Sequence, residues 1–320
     1  MDCEELVVGR NAQSIEQMIA GYRAELIVPP DEQTVRLSKF YIEPNIAAII
    51  DDLNVLRGKI DTYFLDIRDR ARRNEMQVAD GFRWKLEKYP VSCCLEITRH
   101  MLALLSQEPA CVETAGITSL HDFCRNGGKI KRLWGALRGV YFQNAMQAGS
   151  YYIDVANDTV DPSKDKIEIR PLEQSGFRNL QSYREFADVA ETYWKCRMIP
   201  NWYFPNLAPV FPILTFNKDG GISLDSKNVF MLPMNLEARF ELAHDFLVND
   251  DRAVDALESC QSKLFEYMSG KPNPEQIHLM HFTKIRDDKI LKGAFQRCAE
   301  ANPERLNTIV KNALDVGERF

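Results

Sequence analysis

The run Tyr89-Pro90-Val91-Ser92-Cys93-Cys94-Leu95-Glu96-Ile97-Thr98 fixes where one helix must begin. Pro90 cannot continue a preceding helix and drives Tyr89 to extended backbone. Ser92 is a good N-cap, and Glu96 falls near the position that completes a capping box. Leu95, Ile97, Met101, Leu102, Leu104 and Leu105 supply the apolar helical run, and Pro109 marks its end. The helix therefore opens on two adjacent cysteines. A thiol in a first helical turn faces unpaired backbone N–H groups and the positive end of the helix dipole, which favour the reactive thiolate. Cysteine is also among the most buried residue types, so core packing explains the same pair without chemistry.

The other cysteines carry no pattern. Cys3, Cys111, Cys124, Cys196, Cys260 and Cys298 are scattered, with no CxxC. The start, Met1-Asp2-Cys3-Glu4-Glu5, is acidic and lacks the positive region of a signal peptide. Reduced thiols and a cytoplasmic location are the expectation. Cys93 and Cys94 are too close together for an ordinary zinc pair. The net charge of −6 over 320 residues argues against a nucleic-acid surface. No apolar stretch reaches transmembrane length.

Along the chain, residues 11–25 read as a short helix ended by Pro29-Pro30. Residues 44–78 read as a long amphipathic helix or a pair. Ile46, Ile49, Ile50, Leu53, Leu56, Ile60, Phe64 and Ile67 form its stripe. Arg68, Arg70, Arg72 and Arg73 follow. Interleaved Asp66, Asp69 and Glu75 make that cluster a solvated face rather than a phosphate site. Residues 81–89 read as a strand or loop, and 117–124 as a short helix capped by Thr118 or Ser119. A hairpin is expected at 139–156 about an Ala148-Gly149 turn, and a second near 212–224 about a Gly-bearing turn. Helices are expected at 178–196, 235–249, 251–269, 274–282 and 287–315, the last interrupted at Asn302-Pro303.

Three further groupings bear on chemistry. Asp154, Asn157, Asp158, Asp161 and Asp165 supply oxygen ligands, but not in an EF-hand pattern, and they read as turn residues. His278 and His281, with His244, have metal-ligand character yet suit a polar helix surface. Tyr193, Trp194, Trp202 and Tyr203 with Pro200, Pro205, Pro209 and Pro212 can line a partner groove or pack a loop-rich core. No metal or cofactor is implied.

The order of a cysteine-capped helix followed by a hairpin with an acid on its return strand resembles the core of the transglutaminase-like and papain-like cysteine superfamily. Pro90-Val91-Ser92-Cys93-Cys94 and Gly149-Ser150-Tyr151-Tyr152-Ile153-Asp154 carry the resemblance, over residues 82–160. It implies Cys94 or Cys93 as nucleophile and Asp154 as the orienting acid. An Ala148-Gly149 turn sets Gln143 opposite Asp154, where the family has its His. A glutamine cannot take and return a thiol proton. Gln143 is then an oxyanion-side or substrate-binding amide. His100 lies on the far side of its helix from the thiols, and His121 has no derivable route to them.

The expected fold is α+β, helix-rich with a small antiparallel sheet. Residues 1–160 hold helices, the cysteine helix and the hairpin core; 161–320 form a second, mostly helical region with the hairpin near 212–224. The expected function is a cysteine-centred acyl-transfer scaffold, an amide hydrolase or transglutaminase-like, active or silent. The alternative is a noncatalytic module that binds a protein or peptide through segment 193–212.

Overall fold

A computed structural model describes residues 14–106, 114–218, 221–250 and 288–319. The helices expected at 251–269 and 274–282, with His278 and His281, lie outside these. The chain is α+β, with helices packed on two antiparallel sheets of five and three strands.

Contacts divide it into two compact units. One is Ala24–Asn179; the other holds residues 14–23 and those from Leu180 onward. The division therefore falls after Asn179, not at 160/161. The reason is sheet pairing: two strands beyond residue 160 complete the first unit's sheet.

Helix α1 is Ile15–Glu25 and α2 is Glu32–Leu37. A π turn at Ser38–Ile42 and a 3-10 turn at Glu43–Asn45 lead into α3, Ile46–Arg72. The apolar stripe of α3 goes inward as expected: Ile49, Leu53, Ile60, Phe64 and Ile67 are buried. Arg57, on the same stripe, is buried with them. Residues 80–87 form α4, not a strand or loop. Leu86 is buried there, and Phe82, one helical turn back, meets Phe64 edge-on. Helix α5 is Cys94–Leu105 and α6 is Ala115–Arg125, capped by Thr114 rather than Thr118 or Ser119. Asp52 Oδ2 accepts from the first backbone N–H groups of α6, at Gly116 and Ile117.

Strands β1 (Ile130–Leu137), β2 (Tyr141–Ala148), β3 (Tyr151–Asp154), β4 (Glu168–Pro171) and β5 (Phe177–Arg178) form a sheet ordered β4-β3-β2-β1-β5. The expected hairpin is β2–β3, with a shifted turn. Ala148 pairs with Tyr151 and Met146 with Ile153, so Gly149-Ser150 is the two-residue turn. Gly149 takes the left-handed conformation there, φ +57°. One sheet face carries Leu133, Leu137, Ala145, Tyr152 and Phe177 as an apolar cluster. The other carries Arg132, Trp134 and Asn144, because side chains alternate along a strand. Thr98 of α5 donates to the Asn144 carbonyl, which seats α5 on that second face.

In the other unit, α7 is Tyr183–Trp194 and begins on a Ser182 cap, not at 178, because Phe177–Arg178 are committed to β5. Strands β6 (Arg197–Pro200), β7 (Ile213–Phe216) and β8 (Ile222–Ser223) form the second sheet, and β7–β8 is the expected second hairpin. Helices α8 (Asp225–Glu237) and α9 (Glu241–Asn249) replace the single helix expected at 235–249. Arg239 and Phe240, both at positive φ, break the path between them. The C-terminal pair, Asp288–Ala299 and Pro303–Arg319, is interrupted at Asn302-Pro303, where Asn302 Oδ1 accepts from Arg305 N at 2.9 Å.

Candidate functional site

The first unit holds the cysteine helix. Its cap is Cys93, whose side chain makes no capping bond; Cys94 is the first helical residue. Ser92 was the expected cap. It is instead held in a turn at φ +65°, with its N–H donating to Thr159 O at 3.2 Å.

The two thiols have different surroundings. Cys93 is 1% exposed, and its Sγ lies 3.9 Å from the Lys85 carbonyl oxygen. Burial pushes this thiol up to about 12, with the Glu96 carboxylate adding to the effect. Cys94 is partly buried against β2, and Asn144 Nδ2 donates to its Sγ at 3.5 Å. Burial raises this thiol too; the Asn144 amide opposes it, and Glu96 and Asp154 add to it. The helix dipole alone would lower both thiols. Loss of water outweighs the dipole here.

Asn144 is itself fixed. Arg132 Nη1 donates to Asn144 Oδ1 at 2.8 Å, and Arg132 is held by Glu25. The amide nitrogen is thereby the atom turned towards sulfur. An amide nitrogen has no lone pair for a thiol proton at neutral pH. Neither His100 nor His121 fills this gap. His100 Nδ1 lies 3.0 Å from Glu96 O with its ring against Tyr63 and Phe64. His121 Nε2 lies 3.0 Å from Leu105 O.

Gln143 and Asp154 do meet. Gln143 Nε2 donates to Asp154 Oδ2 at 2.8 Å and to Ala156 O at 3.1 Å. Tyr152 donates to the same Oδ2 at 3.0 Å, and Ala156 N to Oδ1 at 2.9 Å. Asp154 is fully buried, and burial raises its pKa to about 6 against those three donors. Gln143 Oε1 is buried without a hydrogen-bond partner. This cluster lies on the face of β2 away from Asn144 and Cys94. The expected trio of Cys94, Gln143 and Asp154 is thus two separate groups.

The other groupings resolve as structure. Arg68 pairs with Asp69, Arg70 with Asp66, Arg72 with Glu87 and Arg73 with Glu75. Asp158 is committed to Arg57, and Asp161 Oδ1 accepts from Ser163. Among the described residues no group of three or more His, Cys, Asp or Glu side chains could hold a metal ion. In segment 193–212, Tyr203, Phe204, Leu207, Val210 and Phe211 are buried in the second unit's core and Trp202 packs against it, while Tyr193 and Trp194 are half-buried.

Three residues that matter to this unit gave little sequence signal: Arg57, Arg132 and Asn144. Only Arg57 carried a legible one, since it stands on the α3 stripe between Leu53 and Ile60. No family model matches this chain, and neither do the curated proteins or the solved structures with which it was compared. No described helix is long and apolar enough to cross a membrane.

Proposed function

We propose that this chain is a catalytically silent cysteine scaffold. It places a thiol at the start of a helix packed on an antiparallel sheet, as transglutaminase-like and papain-like acyl-transfer domains do, and it acts by binding rather than by amide turnover. One observation carries the reading: the group facing Cys94 Sγ is the Asn144 amide, 3.5 Å away, fixed with its nitrogen towards sulfur by Arg132. A nucleophilic thiol needs a base that takes its proton and returns it, and an amide does neither. The raised pKa of both thiols supports the same reading.

The test is alkylation of the full chain by iodoacetamide between pH 6 and 7, read residue by residue by peptide mass spectrometry. Cys93 and Cys94 should react more slowly than free cysteine and catch up only in denaturant. Rapid alkylation of Cys94 in the native protein overturns the proposal and restores the active acyl-transfer reading.

A further inference from the structure

A cleft of about 680 Å³ opens in the first unit on the sheet face opposite Cys94. Its size falls inside the range of roughly 300–1,000 Å³ typical of small-molecule sites. One wall is the strap that follows α1, with Val28, Pro29 and Pro30, continued by Leu37 of α2. The floor is the sheet edge, with Lys129 and Lys131 from the β1 side and Gln147 from β2. Lys131 and Gln147 are register partners, so they stand side by side.

The polar groups of this floor divide in a telling way. Gln147 is fully used. Its Oε1 accepts from Val28 N at 3.1 Å, and its Nε2 donates to Val28 O at 2.7 Å and Gly149 O at 3.0 Å. It pins the strap and shapes the wall. Lys131 is not fully used. Its ammonium donates to the Leu26 carbonyl, leaving two N–H donors, and no carboxylate among the described residues acts on it. It is half-buried, and burial lowers its pKa. Asp31, also in the wall, is spent on the first turn of α2, where Oδ1 accepts from Thr34 N at 2.7 Å. An ammonium partly removed from water without a counter-charge carries a cost that an anion in the cleft would offset.

We infer that this cleft binds a small amphipathic monocarboxylate, its head on Lys131 and its apolar body along Val28, Pro29, Pro30 and Leu37. A single negative charge matches the floor better than a phosphate, because only one ammonium is sheltered; Lys129 is exposed. The inference does not depend on Cys94, which lies on the other face, and it survives if that thiol proves reactive.

The probe is sodium octanoate, titrated calorimetrically into the full chain, with acetate, 1-octanol and octyl phosphate as controls. Octanoate should bind with a stoichiometry of one at concentrations up to about 1 mM. Lys131→Met, which keeps the stem and removes the charge, should weaken it about tenfold or more, and Cys94→Ser should leave it unchanged. Acetate and 1-octanol should each bind more weakly than octanoate. A wild-type readout guards against a misfolded variant: octanoate should protect Lys131, but not exposed Lys59, from acetylation by an activated ester. Absence of octanoate binding, equal binding of 1-octanol or octyl phosphate, or failure to protect Lys131 would each overturn the inference.

Discussion

Gln143 and Asn144 are neighbours on β2 that serve opposite faces of its sheet, Gln143 reaching Asp154 at 2.8 Å and Asn144 reaching Cys94 Sγ at 3.5 Å. That alternation separates the acid from the thiol. An orienting acid acts through a base that touches the nucleophile. Here the acid is satisfied by an amide, a phenol and a backbone N–H, and the thiol by a second amide.

Asn144→Asp isolates the amide's effect on sulfur. A carboxylate keeps an acceptor for Arg132 but replaces the donor facing Sγ with a negative charge. The Cys94 thiol should move further up, and its alkylation at pH 8 should slow by about threefold or more. The measurement is the rate at Cys94 relative to exposed Cys124 in the same sample. An unchanged ratio means that Asn144 does not govern the thiol.

Asp154 should leave a signature in stability against pH. Its folded pKa is raised from 3.8 to about 6. Between those values the folded state binds more protons than the unfolded, so this group's contribution falls as pH rises. It is fully present below about pH 4 and lost above about pH 6. Asp154→Asn cannot titrate. The stability of the wild type relative to this variant should therefore decline from pH 4 to pH 7, by up to about 3 kcal/mol. Urea midpoints at three pH values give the answer, and a flat difference would sink the assignment.

The elements that could be read from sequence are those whose signal is local and long. The α3 stripe spans several turns, and Asn302-Pro303 carries its own start signal, so both stand where expected. The β2–β3 hairpin was legible as a hairpin but not in register. Ala148-Gly149 and Gly149-Ser150 both offer the glycine a turn needs, and the choice rests on distant Ser38, whose Oγ accepts from Ser150 N at 3.0 Å. The shift changed partners without changing faces, so Gln143 still met Asp154. Which face α5 would cover was not legible. That depends on contacts such as Thr98 to the Asn144 carbonyl, between residues far apart in sequence. Arg57 is hard to read as buried because charge on a helix suggests a solvent-facing position. Its position on the stripe was the better guide.

Arg57 anchors the loop that follows β3. Its guanidinium donates to Asp158 at 2.8 and 3.2 Å and to Val155 O at 3.2 Å, and its Nε lies 2.9 Å from Asp61 Oδ1. It is fully buried, and although burial alone would lower its pKa, these carboxylates raise it, so it stays charged. Arg57→Met would leave Asp158 buried without its cation, at a cost of about 3–5 kcal/mol. Adding Asp158→Leu should recover part of that loss. If the double variant is no more stable than Arg57→Met alone, the two residues are not a coupled pair.

Gly149 and Gly139 give a controlled comparison of backbone strain with crowding. Both sit at positive φ, +57° and +68°. A Cβ at Gly139 would meet only Arg178 Nη2, at 3.7 Å. A Cβ at Gly149 would come within 2.2 Å of Ser38 Oγ and 2.9 Å of Phe123 Cζ. Ser38 cannot simply swing away, because its Oγ donates to Thr34 O at 2.8 Å and accepts from Ser150 N. Gly139→Ala should therefore cost only the left-handed penalty, about 1 kcal/mol. Gly149→Ala should cost that plus the displacement of Ser38 and Phe123, about 2–4 kcal/mol in all. The same displacement would move the floor of the Lys131 cleft, which Gly149 lines, so octanoate affinity should fall in Gly149→Ala and hold in Gly139→Ala. Equal stability losses in the two variants would show that the close approach to Ser38 does not constrain the turn.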